Sequence, residues 1–287
     1  MLVKRILTAI VLLAVLAAAL VAVNPWPLVV LLSVAAACAL WEWLRLTWPV
    51  RNSRGPAAVA WVVFAILLFL ASQWLSDAAS LEVLEAFGAL GDWLVPAVSI
   101  AWILGATALV FQGRAEAPAA SVWLSLFGIL AVVAAWVALV QMYLALGPWF
   151  LVSLMALIWC ADIAAYFVGK AFGRRKLAPR VSPGKSWEGA LGGVVAATLW
   201  VLVSTRWPDS FGAVLADRWP IWAVALIAAL LAAVSIVGDL FESLLKRRAG
   251  VKDSSQLLPG HGGVYDRIDA LLPVAPIALL LSGVALQ

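Results

Sequence analysis

The chain has 287 residues, 66% of them apolar and 12% charged, with a formal net charge of +4. An ordinary globular domain is about half apolar and about a quarter charged, and a soluble fold of this length must keep about a quarter of its unfolded-state surface wettable, so the composition excludes one and points to the bilayer as solvent. Cys38 and Cys160 both lie in apolar runs and His261 is the single histidine, which excludes a disulfide scaffold, a cysteine-rich metal site and a multi-histidine centre.

A membrane helix needs about 20 mainly apolar residues. On that measure the sequence predicts an all-α polytopic integral membrane protein with nine spans, at residues 6–23, 26–44, 57–75, 93–111, 121–145, 148–168, 189–205, 219–238 and 270–286. The first run follows Lys4 and Arg5 but is longer than a signal-peptide core and reads as an uncleaved anchor. With the N-terminus cytoplasmic and the C-terminus non-cytoplasmic, 17 of the 19 basic residues, all but Arg206 and Arg218, fall on the cytoplasmic side, as the positive-inside rule requires. The third loop, with Asp77, Glu82, Glu85 and Asp92 and no base, falls outside. The basic face then lies beside anionic headgroups, and nucleic-acid binding is not expected. Many of the 17 tryptophans (Trp26, Trp41, Trp43, Trp93, Trp149, Trp207, Trp219, Trp222) sit at span ends and are expected to anchor the interface.

Residues 1–145 read as a helical scaffold of about five spans. The chemistry is expected in 146–287, with its polar loops 169–188 and 239–269. Asp162 lies inside the sixth span, where an ionised carboxylate costs about 2.5–3.5 kcal/mol unless it has a partner or a wet cavity. In the loop that follows, Ser182-Pro183-Gly184-Lys185-Ser186 places hydroxyls, free N–H groups and a lysine just before a helix N-terminus, a combination suited to phosphate oxygens. Its glycine spacing is not that of a Walker A loop.

At the end of span eight, Asp239, Glu242, Ser243 and Lys246 stand at i, i+3, i+4 and i+7 and share one helix face. A turn through Pro259-Gly260-His261-Gly262-Gly263 leads to Asp266-Arg267-Ile268-Asp269. Four acids on the basic side repel one another unless cations lie among them, and magnesium, which takes one or two carboxylates plus phosphate oxygens, suits the set. Lys246, Arg247, Arg248, Lys252 and Arg267 would neutralise further phosphate charge. His261, between glycines, is expected to touch substrate or hold the loop rather than to transfer a proton.

Ser243, Lys246-Arg247, Lys252-Asp253, His261-Gly262-Gly263 and Asp266-Arg267-Ile268-Asp269, 27 residues without a gap, resemble the signature of the phosphatidate cytidylyltransferases, or CDP-diacylglycerol synthases. The segment from Asp162 to Gly189, with Lys176-Leu177-Ala178-Pro179 and Ser182-Pro183-Gly184-Lys185, is similar to that family as well. One departure is Ile163-Ala164 after Asp162, where the family usually has a small hydroxylated residue and a glycine. The resemblance implies transfer of CMP from CTP to phosphatidic acid, giving CDP-diacylglycerol and pyrophosphate, for phospholipid biosynthesis. It also implies Mg2+ with a K+ ion beside it, a homodimer, and a site facing the cytoplasm in a bacterial inner membrane.

On this reading Asp239 and Asp266 lead the metal ligands, with Asp269 and Glu242 as further candidates; Asp239, Ser243, Lys246, Asp266 and Asp269 carry catalysis. Ser182, Lys185, Ser186, Arg247, Lys252, His261, Gly262, Gly263 and Arg267 hold substrate. Asp162 orients a lysine or meets a metal, and the residues leave both open. A transporter of an anionic solute is the competing class, set back by polar residues that cluster at one face. A lipid-linked sugar or CDP-alcohol transferase lacks its acidic motif here.

Overall fold

The computed structural model describes residues 2–50, 53–76 and 81–284. Arg51, Asp77 and the end of the expected ninth span lie outside them. In chain order the elements are α1 (Leu2–Val21), α2 (Trp26–Thr47), α3 (Gly55–Trp74), α4 (Leu81–Ile100), a π-helical segment (Ala101–Ala106), α5 (Thr107–Gln112), α6 (Val122–Phe172), the strands β1 (Lys176–Ala178) and β2 (Ser182–Ser186), α7 (Trp187–Ser204), α8 (Phe211–Arg218), α9 (Ile221–Ala249), α10 (Tyr265–Ile268) and α11 (Leu271–Ser282). Local chemistry sets the boundaries. Ser121, Ser186 and Ser210 cap α6, α7 and α8 with their hydroxyls, and Gly113, Gly250 and Gly283 end α5, α9 and α11 in the left-handed conformation.

Among the described residues six helices are long and apolar enough to cross a membrane: Trp26–Thr47, Gly55–Trp74, Gly91–Gln112, Val122–Phe172, Trp187–Ser204 and Ile221–Ala249. An all-helical polytopic protein is therefore what forms. Two of the expected spans are joined in α6, whose 51 residues break at Gly147 (φ 82°), directly before Pro148. That is the point at which the sequence separates spans five and six, and only glycine adopts such a conformation freely. The apolar part of α1, Ile6–Val21, and the 12-residue α11 are shorter than a full crossing.

The helices meet through small residues. Gly189 and Gly193, one turn apart on α7, lie against α6, where an added Cβ would come within 2.7 Å of the carbonyl oxygens of Ala165 and Ala161 respectively. Close helix approach through small-xxx-small spacing is the packing mode expected when lipid removes the hydrophobic drive between helices. It holds the polar end of α6, which carries Asp162, beside the β1–β2 hairpin.

The centre of the bundle corrects one sequence expectation. Trp43 is not an interface anchor: it is fully buried, with its ring centroid 6.1 Å from Trp102, 5.7 Å from Phe127, 5.4 Å from Phe241 and 5.1 Å from Tyr265. Its indole N–H donates to the Leu124 carbonyl at 2.9 Å, and Gly128 leaves the space that the ring fills. One tryptophan thus joins α2, the π-helical segment, α6, α9 and α10. Trp93 and Trp222, by contrast, are exposed as anchors would be.

Gly193→Leu would force a side chain into the Ala161 carbonyl, an overpacking change of about 1–3 kcal/mol. It should lower the midpoint of thermal unfolding in detergent by several degrees, whereas Leu191→Ala, on the exposed side of α7, should not. An unchanged midpoint for Gly193→Leu would show that the α6–α7 contact contributes little.

Candidate active site

The helical spacing on α9 does what the sequence predicts. Asp239, Glu242, Ser243 and Lys246 share a face, with the Ser243 hydroxyl 3.4 Å from Asp239 Oδ1 and Lys246 Nζ 2.7 Å from Glu242 Oε2. Two further elements converge on that face. Gly238 lets the α10–α11 junction approach α9: a Cβ there would lie 2.5 Å from the Asp269 carbonyl oxygen. The β1–β2 hairpin delivers Lys185, whose Nζ is 2.5 Å from Asp239 Oδ2.

The result is a group of carboxylates with two lysine ammonium groups at its edges. One oxygen each from Asp239, Glu242 and Asp269 lies within 4.8 Å of the others. Glu242 is almost fully buried, and its Oε1 has no hydrogen-bond partner. A buried, unsatisfied carboxylate oxygen beside two other carboxylates is costly, and a bound cation would satisfy it. The donor set is all oxygen, which suits Mg2+. Burial and the neighbouring Asp239 charge push the Asp269 carboxyl well above its usual range. Asp162, on α6, couples electrostatically to both Asp239 and Lys185, and Ile163 after it is exposed.

Asp266 adjoins this triad at Glu242. Its Oδ1 accepts from Lys246 Nζ at 2.7 Å, its Oδ2 from the backbone N–H of Gly263 at 2.7 Å, and the Ser254 N–H reaches both oxygens. Burial would raise its carboxyl, but contact with the Glu242 carboxyl, the Lys246 and Gly263 hydrogen bonds and the Lys246 charge outweigh it and hold Asp266 well below the carboxylate range. Lys246 therefore bridges Glu242 and Asp266. Gly262, with φ 83°, makes the turn that brings the Gly263 N–H to Asp266.

The remaining expected residues have local roles in the structure. The Ser186 hydroxyl accepts from the Gly189 N–H and caps α7. Ser182 begins β2, and the Arg247 Nε–H donates to the carbonyl of its neighbour Val181 at 3.3 Å, so α9 and the hairpin are tied together. Arg267 donates to the His261 carbonyl through Nε and Nη2, while His261 Nδ1 is buried with no partner. Lys252 is exposed and lines a different cavity, of about 1380 Å³.

A residue that sequence reading assigned to the scaffold completes the site. Glu42, on α2, is fully buried and accepts four hydrogen bonds: from the hydroxyls of Ser254 (3.1 Å) and Ser255 (2.5 Å), and from the N–H groups of Val264 (3.1 Å) and Tyr265 (2.6 Å). It closes both ends of the loop that carries the glycine turn. A Cβ on Gly263 would lie 2.5 Å from Glu42 Oε2, so glycine is required for the clamp to shut. The signal was present: Glu42 is the only acid before Asp77 and sits within an apolar run, the criterion that singled out Asp162.

An acidic triad flanked by two lysines thus stands at one end of a membrane-type helical bundle, with oxygen donors that fit a cation and ammonium groups that fit phosphate charge. Comparison with known proteins gives the family. The chain belongs to the cytidylyltransferase family, whose model matches residues 3–284. It is 39% identical over 96% of its length to the phosphatidate cytidylyltransferase of Pseudomonas aeruginosa, covering 95% of that protein. It is 48% identical over 45% of its length to the Haemophilus influenzae phosphatidate cytidylyltransferase, covering 44% of that protein. The Mycobacterium leprae protein of the same name is 40% identical over 50% of this chain and 46% of its own.

Glu42→Ala would leave four buried donors without an acceptor, at about 1–3 kcal/mol for each unsatisfied group. The loop over residues 252–263 should become open to limited proteolysis, and thermal stability should fall. A variant with the wild-type cleavage pattern would show that Glu42 does not hold the loop.

Proposed function

We propose that the chain transfers a cytidylyl group from CTP to phosphatidic acid, giving CDP-diacylglycerol and pyrophosphate. The observation that carries the reading is the triad Asp239–Glu242–Asp269 with Lys185 and Lys246 at its edges, in a chain that aligns almost end to end with a protein of that name. Asp239, Glu242 and Asp269 would hold Mg2+, which supplies charge stabilisation to phosphoryl oxygens when bound. Asp266, which touches Glu242, would hold Lys246 and the glycine turn and stand beside the metal.

The residues mainly align two polyanions. The lipid phosphate is already ionised near neutral pH, so no general base is required, and in-line attack on the α-phosphorus depends on positioning and charge. Lys185 and Lys246 would turn from their carboxylates toward phosphate oxygens as those arrive. The open backbone around Gly184, against which an added Cβ would meet nothing, leaves room for a phosphate beside Lys185 and Ser182. Arg247 and Arg267 would act by fixing the hairpin and the loop, and His261 would offer its unpartnered Nδ1 to substrate.

For the whole protein we further propose nine spans with the N-terminus cytoplasmic and the C-terminus outside, in a bacterial inner membrane with the site facing the cytoplasm. The basic-residue distribution supports that orientation, and the break at Gly147 supports two passes within α6. Residues 1–145 form the scaffold half and 146–287 the site half. The family resemblance supports a homodimer and a K+ ion next to the Mg2+.

Formation of CDP-diacylglycerol from labelled CTP and phosphatidic acid by the purified protein tests the reaction; magnesium should be required. Asp239→Asn and Asp269→Asn should each lower turnover at least 100-fold with an unchanged elution profile, and a near-normal rate in either would remove that residue from the metal site.

Lys185→Ala frees Asp239 and removes a phosphate partner. Its kcat/KM should fall about 10–100-fold, as for loss of a charge-assisted contact worth about 1.5–3 kcal/mol. Steady-state constants for both substrates that match wild type would place the hairpin outside the site.

A further inference from the structure

The large cavity that Lys252 lines is separate from the acidic triad and is unused by the mechanism above. It lies behind the loop: residues 252–255 form one of its walls, and the Ser254 N–H on that same segment contacts Asp266 on the site side. Among the described residues its charged lining is Arg45, Arg248 and Lys252 against Asp253, three cations and one carboxylate, a surplus of two positive charges. Among the described residues none of the three cations forms an ion pair. Arg248 is anchored through Nε by the Arg114 carbonyl at 3.0 Å, and the Arg45 guanidinium sits 4.7 Å over the Trp41 ring.

A second cavity, of about 430 Å³, adjoins the first. It runs between α2 and α3 and is lined by Val34, Ala37, Cys38, Trp61 and Phe64 among others, with no charged residue. Trp41 and Leu257 line both cavities, so the basic chamber opens onto an apolar groove at those two side chains. Trp61 is largely exposed, and α2 and α3 are both membrane-type helices. The groove therefore opens toward lipid, and Trp41 stands at the polar–apolar boundary, as interfacial tryptophans do.

From this juxtaposition we infer that the paired cavities form a docking site for phosphatidic acid, its phosphate among Arg45, Arg248 and Lys252 and an acyl chain in the α2–α3 groove. Charge selects the occupant. A phosphate monoester carries about −1.5 to −2 near neutral pH, which matches the surplus of two, whereas phosphodiester lipids carry a single negative charge and zwitterionic lipids none. The loop 252–255 separates this lipid from the triad, so the position is one of capture before reaction. The inference rests on phosphatidic acid being the lipid substrate, and it adds where that lipid is first held.

The test uses full-length protein in nanodiscs of neutral lipid, without CTP or magnesium, and phosphatidic acid with a photoactivatable diazirine on one acyl chain. Peptide mapping should place the label on α2 and α3, around Val34, Cys38, Trp61 and Phe64. Unlabelled phosphatidic acid should compete at least ten-fold better than phosphatidylglycerol or phosphatidylcholine. Arg45→Ala combined with Arg248→Ala, and separately Ala37→Trp to fill the groove, should each reduce labelling there several-fold. Label confined to other surfaces, or equal competition by phosphatidylglycerol, would overturn the inference, and the wild-type map decides this even if a variant fails to fold. Because no turnover is read, the outcomes separate: labelled protein without cytidylyltransferase activity would fail the proposed reaction alone, and active protein without label on α2 and α3 would fail this site alone.

Discussion

The structure is organised around carboxylates that would repel one another if their charges were not compensated. Asp239, Glu242 and Asp269 meet at one end of an apolar bundle, where taking ions out of water costs several kcal/mol each unless partners repay it. The protein supplies Lys185 to Asp239, and Lys246 to both Glu242 and Asp266. These lysines come from separate elements, so charge neutralisation also fixes where the β1–β2 hairpin and the glycine turn lie. The compensation stays incomplete at Glu242 Oε1, an atom that a bound cation would satisfy. A site fully satisfied by lysines would have no reason to take one.

Backbone proximity makes the convergence possible. Gly238 admits the Asp269 carbonyl against α9, and Gly189 and Gly193 admit α7 against the carbonyls of α6. Each contact brings a polar residue to the face that α9 defines. Helices in lipid gain little from burying apolar surface against one another, so small residues and buried polar clamps decide their arrangement. Glu42 is such a clamp: a single side chain on α2 satisfies four donors from the two ends of one loop. The Trp43 cluster next to it joins the same helices through aromatic contacts.

Periodicity and charge made part of this legible in the sequence. The face of Asp239, Glu242, Ser243 and Lys246 follows from 3.6 residues per turn, and the break at Gly147 falls between two apolar runs that were separable by eye. Pairings between distant segments were not legible. Whether Asp266 or Glu242 joins the triad depends on how α10 turns after Gly262 and Gly263, which no local pattern encodes. Trp43 and Trp41 are two residues apart at the same helix end, yet one is wholly buried and the other lies at a cavity mouth. Their difference is a matter of which side of α2 faces α9. Glu42 was passed over because its partners are more than 200 positions away, and a carboxylate near a span end resembles an ordinary boundary charge.

These contacts also change how the two halves of the chain divide their work. Residues 1–145 supply no residue to the triad, but they supply the acid that holds the loop and part of the lining of the basic chamber. The loop 252–265 is therefore held from both sides: Asp266 grips it from the site through the Ser254 and Gly263 N–H groups, and Glu42 grips it from the scaffold. A segment held by hydrogen bonds on both faces has few intermediate positions open to it, so its displacement would be close to all-or-none. Lys246 belongs to that balance. When it turns from Asp266 toward incoming phosphate, the loop would stay held by the Asp266 contacts to the Ser254 and Gly263 N–H groups and by the Glu42 clamp.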